Sequence, residues 1–211
     1  NLQNRSLEFA LALTLPAAVG LIVIPDEIIA VIYQRGAFDQ EATAATAKAL
    51  IGFASGLPAY VMLKVFQPAF FAREDMRTPF YFSIIMVIIN VILSLSLFPT
   101  LGHVAIAIAT SVSAWVNLLL LALTQWRRGD FKPDWQTLKR LQLLLLSSVL
   151  MGAAILGIRQ VLGDFASAGF AWQLASVVIM VGAGAGIYFA IALVTGAIDR
   201  APLNRLLRRR S

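Results

Sequence analysis

Residues 79–98 read PFYFSIIMVIINVILSLSLF, and this stretch contains no charged side chain. About 20 apolar residues in a helix cover the hydrocarbon core of a bilayer, so the stretch predicts a transmembrane helix. Thr78 is predicted to cap this helix, with Pro79 in its first turn. Apolar runs of the same kind occur six times, at 7–33, 41–71, 79–98, 104–126, 139–162 and 170–195.

The composition agrees with a membrane protein. Of the 211 residues 59% are hydrophobic and 13% are charged, and the mean hydropathy is +0.81. Soluble domains are about 45–50% apolar and about 25% charged, and a domain this small could not bury the excess. The chain contains no cysteine, which excludes disulfides and thiolate metal sites. We therefore expect an all-α, polytopic helical bundle with about six transmembrane helices.

The positive charges predict the topology. Thirteen of the 17 lysine and arginine residues fall on one side of the predicted spans. They are Arg5, Arg73, Arg77, Arg127, Arg128, Lys132, Lys139, Arg140, Arg200, Arg205, Arg208, Arg209 and Arg210. The positive-inside rule places them in the cytosol, and an even number of crossings leaves both ends there. This explains the net charge of +6 better than a nucleic-acid partner does. The expected divisions are four spans in 1–126, a cytosolic loop at 127–138, two spans in 139–195 and a basic tail at 196–211.

Two of the predicted spans contain helix breakers. Pro16 lies within the first, and Pro25-Asp26-Glu27 in the same run is typical of a helix start, which predicts a short second helix over 28–33. The second span is expected to be interrupted too, since it contains four breakers, Gly52, Gly56, Pro58 and Pro68. Broken membrane helices are typical of transporters. Kinks that serve only packing are the alternative.

Several polar residues fall within the spans. Lys64 and Gln67 are the candidates for contact with an anionic headgroup, although Lys64 could instead extend to the inner interface. Asn90 and Ser94, one turn apart, could meet Thr110 of the next span and hold a small cation. Alternatively, they tie the helices together by hydrogen bonds, which the lack of a carboxylate favours.

The remaining candidates have simpler interpretations. Gly182 and Gly186 form a small-residue face on which another helix or a lipid chain could pack closely. Arg159 is expected to extend to the outer interface and His103 to be solvated. The carboxylates do not converge on an acid–base site, so we expect no enzyme, no catalytic residue, no metal and no cofactor.

The order of several short motifs resembles the C-terminal half of the MurJ (MviN) family. These are LPAAVGL at 15–21, QRGAFD at 34–39, GLPAY at 56–60, PAFFARED at 68–75 and WVN at 115–117. The resemblance is dense over roughly 7–120 and depends on topology and hydropathy beyond that. It identifies the chain as a fragment with the last six helices of a lipid II flippase, in the superfamily that includes the MATE exporters.

The resemblance implies a bacterial inner-membrane protein whose two lobes flip lipid II, the undecaprenyl-pyrophosphate-linked precursor of peptidoglycan, by alternating access. It implies membrane lipids and the N-terminal half of the same protein as further partners, and a lipid-tail groove on the last two helices. The family's best-known headgroup residues lie in the first eight helices, outside this chain. Ser94 stands where sodium-binding members are expected to have an acid, and Met76 departs from the family's pattern between Asp75 and Thr78.

Two rival functions remain open from the sequence. One is another lipid-linked oligosaccharide flippase or a MATE-like exporter, which would lack the motifs at 34–39 and 69–79 together. The other is a membrane scaffold subunit that transports nothing. Unbroken helices with polar residues only at their ends would favour the scaffold.

Overall fold

The computed structural model describes residues 2–35, 38–132, 134–162 and 169–197. In these ranges the chain forms seven helices, α1 (Leu2–Val23), α2 (Pro25–Tyr33), α3 (Gln40–Phe71), α4 (Arg77–Leu101), α5 (Val104–Arg127), α6 (Trp135–Leu162) and α7 (Phe170–Val194). All except α2 are long and apolar enough to cross a membrane. The predicted all-α bundle with six spans is confirmed. Most of the predicted basic tail, from residue 198 onward, lies outside the described residues.

The first predicted span consists of two helices. α1 ends at Val23, and the backbone leaves the helical conformation at Ile24 before α2 begins at Pro25. A proline suits the first position of a helix because its missing N–H would have no partner there. Asp26 and Glu27 follow in the first turn, where the helix dipole favours negative charge. The predicted helix start at this proline is confirmed.

Other prolines do not interrupt the helices that contain them. α3 is continuous through Pro58 and Pro68, and α4 continues through Pro99 to Leu101. The predicted interruption of the second span was therefore wrong, and α4 extends beyond the predicted end of its span at residue 98. Neighbouring helices can hold a helix together where a proline removes one backbone bond. The chain turns instead at Gly102, whose φ of +55° favours glycine.

Asp75, and not Thr78, caps the start of α4. Thr78 is the second residue of the helix, so the predicted cap was wrong. One carboxylate oxygen of Asp75 accepts from the Thr78 backbone N–H at 3.0 Å, and the other accepts from the Thr78 hydroxyl at 2.7 Å. A carboxylate at this position also complements the positive end of the helix dipole.

α6 begins four residues before the predicted start of its span, at Trp135. Its first turns contact α1 through polar side chains. The Thr137 hydroxyl and the Arg140 guanidinium each donate to the Glu8 carboxylate at 2.8 Å. These contacts stabilise the additional turn, which shortens the loop expected at 127–138.

The six spans lie side by side in an order that differs from their order in the chain. Contacts run from α7 to α6, then to α1, α3, α5 and finally α4. The short α2 packs on α3 and α7. One buried cluster joins α1, α3 and α5, and a second joins α1, α6 and α7. α1 and α3 therefore occupy the middle of the layer.

α3 and α5 approach each other closely along their seam. Gly52 lies against Ala107, and Gly56 lies against Ser111. A Cβ atom on Gly56 would be 2.8 Å from the Ser111 Cα. The Ser111 hydroxyl donates to the Gly52 carbonyl at 2.5 Å. Small residues let two backbones approach in this way within a bilayer.

Candidate functional site

The charged side chains cluster at the ends of the helices. We call the end that contains residues 2–8 and the loops at 72–76 and 128–134 the basic end. Three ion pairs join its parts: Arg73 with Asp130, Arg128 with Asp75 at 2.7 Å, and Arg140 with Glu8 at 2.8 Å. Two of these pairs connect the α3–α4 loop to the segment after α5. Among the described residues, those that the positive-inside rule assigned to one side thus include Arg73, Arg128 and Arg140 at one end of the bundle.

Asp75 is the centre of the polar contacts at the basic end. Its carboxylate accepts from Arg128 and from Thr78. The hydrogen bond from the Arg128 side chain, followed by those from the Thr78 backbone and hydroxyl, lowers the pKa of Asp75 from 3.8 to about 2. Met76 beside it is largely exposed, so the departure from the family's pattern at this position does not alter the contacts.

Asp75→Asn is expected to lower the thermal stability of the purified full-length protein at neutral pH. Because folding depresses this pKa, the stabilisation is present above pH 3.8 and is lost as the pH falls toward about 2. If melting temperatures are measured between pH 2 and pH 7, those of the variant should therefore fall less steeply than those of wild type as the pH is lowered below about 4. The neighbouring exposed acid provides the control, and Glu74→Gln should reproduce the wild-type curve. Equal curves for Asp75→Asn and wild type would contradict this role.

Lys64 and Gln67 lie away from the packed core of the lobe. The residues of α3 that face the core are Ala59, Leu63, Phe66 and Phe70. Lys64 is exposed and Gln67 is half-buried. Neither side chain is hydrogen-bonded or ion-paired within the described part of the chain. Lys64 is therefore a cation inside a membrane span that the described helices neither cover nor neutralise.

The structure brings two of the three candidate ion-site residues into contact. The Asn90 side-chain nitrogen donates to the Thr110 hydroxyl at 3.0 Å and lies 3.4 Å from the Ser113 hydroxyl. The Ser94 hydroxyl is buried and makes no hydrogen bond to a described residue. An amide nitrogen does not coordinate a cation, so this arrangement is a hydrogen-bonded tie between α4 and α5. A cation would need the amide turned so that its oxygen faces Thr110.

The glycines of α7 divide between its two faces. A Cβ on Gly184 would lie 2.7 Å from the Ile155 side chain, so this glycine is the close contact with α6. Gly182 and Gly186 are exposed, and a Cβ on either would meet no atom within 4 Å. Packing of these two glycines against another described helix is therefore excluded. They form an open, small-residue face.

The opposite end of the bundle contains an ion pair between a buried acid and a partly exposed arginine, which the sequence did not predict. Glu27 on α2 is 3% exposed, and its carboxylate accepts from the Arg159 Nε at 2.5 Å. Its second oxygen is buried without a partner among the described residues. Burial raises the pKa of Glu27 above its ordinary value, while Arg159 opposes that rise. Arg159 therefore does not simply extend to the interface; it fastens α2 to α6.

Gln125 was also missed as a buried polar contact. Its side-chain nitrogen donates to the Phe66 carbonyl at 2.7 Å, and its oxygen accepts from Gln3 at 2.7 Å. Three helices meet at this one side chain, α1, α3 and α5. This contact was not predicted because Gln125 lies near the end of a span, where a glutamine is expected to face water. For Glu27 and Arg159 a signal was available, since opposite charges were both predicted at the outer side.

Six apolar spans, a first predicted span broken into α1 and α2, and an unpaired lysine within α3 define the described part of the chain as a polytopic membrane protein. The family model described as lipid II flippase MurJ matches residues 1–190. The chain therefore belongs to the MurJ family, and the resemblance predicted from its motifs is confirmed.

Individual relatives agree with this family. A probable lipid II flippase MurJ of Rhizobium tropici is 38% identical over 100% of this chain and 40% of its own length. That of Rhizobium meliloti is 39% identical over 99% of this chain and 39% of its own length. A solved lipid II flippase MurJ in an inward closed conformation superposes with a TM-score of 0.73 at 25% identity. It covers 92% of this chain and 38% of its own. The chain thus spans about 40% of the length of these relatives.

Proposed function

We propose that the full-length protein flips lipid II across the bacterial inner membrane, and that this chain is its C-terminal lobe. The observation that carries the proposal is the position of Lys64 in a chain of this family. A charge within a membrane span is costly unless it faces water or a partner. Lys64 meets neither a core residue nor an acid of its own lobe, so its face of α3 would line the cavity between the two lobes.

The chemistry of this surface suits the substrate. The pyrophosphate of lipid II is anionic, and an ammonium group forms charge-assisted hydrogen bonds with phosphate oxygens. Gln67, about one turn further along α3, would add a neutral donor for the headgroup. Rocking of the two lobes would carry the headgroup across without a covalent step, so the protein acts as a transporter and not as an enzyme.

The orientation and the lipid tail belong to the same proposal. We place the basic end in the cytosol, because the positive-inside rule favours that side for its arginines, and with it both ends of the chain. The open face of α7 at Gly182 and Gly186 would accommodate the undecaprenyl tail, since small residues let an acyl chain lie close to the helix. Asn90 and Thr110 would keep α4 and α5 together during the movement.

Lys64→Ala is expected to reduce lipid II export about tenfold in the full-length protein. This is the loss expected for one hydrogen bond to a charged group. Export can be measured in a host depleted of its own lipid II flippase, by the accessibility of the precursor at the outer surface. Lys64→Arg should retain most of the export, because the positive charge remains.

A matched variant separates this role from general loss of charge. Lys48→Ala removes an exposed lysine from the other half of the same helix and should leave export unchanged. Normal export by Lys64→Ala would show that Lys64 does not contact the headgroup. Lysis of cells that contain only the full-length wild-type protein, correctly inserted, would sink the lipid II proposal itself and favour another exporter.

A further inference from the structure

Pro16 leaves a backbone carbonyl of α1 without its helical partner. In an α-helix each carbonyl accepts from the N–H four residues later, and proline has no N–H. The carbonyl affected by Pro16 is that of Ala12, which lies in the buried cluster shared by α1, α6 and α7. An unpaired carbonyl in that position would be costly, because no water reaches it from the bilayer core.

Tyr188 of α7 supplies the missing hydrogen bond. Its side chain is fully buried, and its hydroxyl donates to the Ala12 carbonyl at 2.7 Å. The two residues are 176 positions apart in the sequence. α7 packs mainly on α6, so this bond joins it directly to a helix beyond its neighbour. The Tyr188 hydroxyl on α7 therefore replaces the backbone N–H that Pro16 removes from α1.

We propose that Tyr188 is a positioning residue for transport, which couples α7 to α1 through the carbonyl that Pro16 sets free. The proposal depends on the proposed function. α1 also packs on α3, which carries Lys64, so a displacement of the central helices is passed to α7 through this hydrogen bond. The open face of α7 then moves together with the headgroup surface, and the tail and headgroup of one lipid are shifted together.

Tyr188→Phe is expected to lower the rate of lipid II export about fivefold in the full-length protein. This change removes the hydrogen bond from the Tyr188 hydroxyl and leaves the Ala12 carbonyl without a donor. Stability and coupling are therefore both affected. Pro16→Ala restores an N–H at position 16 that can bond to the Ala12 carbonyl within α1. In the double variant the carbonyl is satisfied again, but α7 remains uncoupled from α1.

The double variant therefore distinguishes coupling from stability. Pro16→Ala with Tyr188→Phe should melt at the temperature of Pro16→Ala alone, yet should export lipid II about fivefold more slowly than that single variant. Equal export by the single and the double variant would overturn the inference and leave Tyr188 a structural residue. Failure of the wild-type protein to export lipid II would instead refute the proposed function.

A measurement that does not require export covers the case in which straightening α1 stops transport by itself. Spin labels on exposed positions of the two helices, Leu13 and Val178, report the distance between α1 and α7 in the full-length protein once any cysteine outside these 211 residues has been replaced. We expect the distance distribution to broaden in Tyr188→Phe. An unchanged distribution would overturn the coupling.

Discussion

Gly56→Ala should destabilise the full-length protein by about 1–3 kcal/mol, the range for overpacking a filled interior. The added methyl carbon would lie 2.8 Å from both the Cα and the Cβ of Ser111. A backbone atom cannot rotate away, so α3 and α5 must separate. Their separation would also weaken the bond from the Ser111 hydroxyl to the Gly52 carbonyl. The loss can be measured as a fall in the melting temperature of the protein purified in detergent.

The open glycines of α7 provide the control for this experiment. Gly182→Ala adds the same methyl group to a helix where no atom lies within 4 Å, so it should melt at or above the wild-type temperature, since alanine favours a helix over glycine. If the melting temperature fell by the same amount in both variants, the cause would be the conformation of the helix and not the contact between α3 and α5. If Gly56→Ala melts like wild type, the seam is looser than these distances imply.

Arg159→Ala is expected to destabilise the protein by about 3 kcal/mol. This is the low end of the range for breaking a buried pair, because the Arg159 side chain is 45% exposed. Without the arginine, the Glu27 carboxylate stays buried and unpaired unless it takes up a proton. Lys48→Ala, which removes an exposed cation, should cost much less. Equal melting temperatures for these two variants would show that the pair contributes nothing measurable.

The pH dependence provides a second test of the same pair. Burial raises the pKa of Glu27 above 4.5 in the folded protein. The unfolded chain therefore releases this proton first, and the stability falls as the pH rises from about 4.5 to the raised pKa. Glu27→Gln should abolish that part of the slope. Arg159→Ala should extend it to higher pH, since the arginine no longer favours the carboxylate.

The membrane class and the six spans could be predicted because they depend on local composition. An uncharged apolar run such as 79–98 is stable only within a bilayer or a protein interior. The arginines and lysines between the runs identify which loops lie on the same side of the membrane. The break at Pro25 could be predicted for the same reason, since a proline and two acids favour a helix start wherever they occur. The family could be predicted from the order of its motifs.

The ties between helices could not be predicted, because they depend on which spans become neighbours. Pro16 and Pro58 both lie within hydrophobic runs that look alike in the sequence. Neither run reveals that the carbonyl affected by Pro16 accepts a hydrogen bond from Tyr188, far along the chain. Gly184 and Gly182 belong to the same GAGAG stretch, and only the angle of α7 decides which one meets α6. The run around Glu27 predicts a helix start, but it does not reveal that the carboxylate pairs with Arg159 on α6.

The order of the helices in space has a consequence for how the protein is made. α1 is synthesised before α6 and α7, but one of its flanks is completed only by those two helices. The hydrogen-bond donor to Glu8, Thr137, lies 129 residues later in the sequence. The donor to the Ala12 carbonyl, Tyr188, is synthesised later still. Until those helices are inserted, the Glu8 carboxylate at the basic end has no partner on α6, and the Ala12 carbonyl within the span has no hydrogen-bond donor from α7. Chains that stop after α5 would lack the contacts of α6 and α7 with that flank, so we expect them to be less stable in the membrane than the complete lobe.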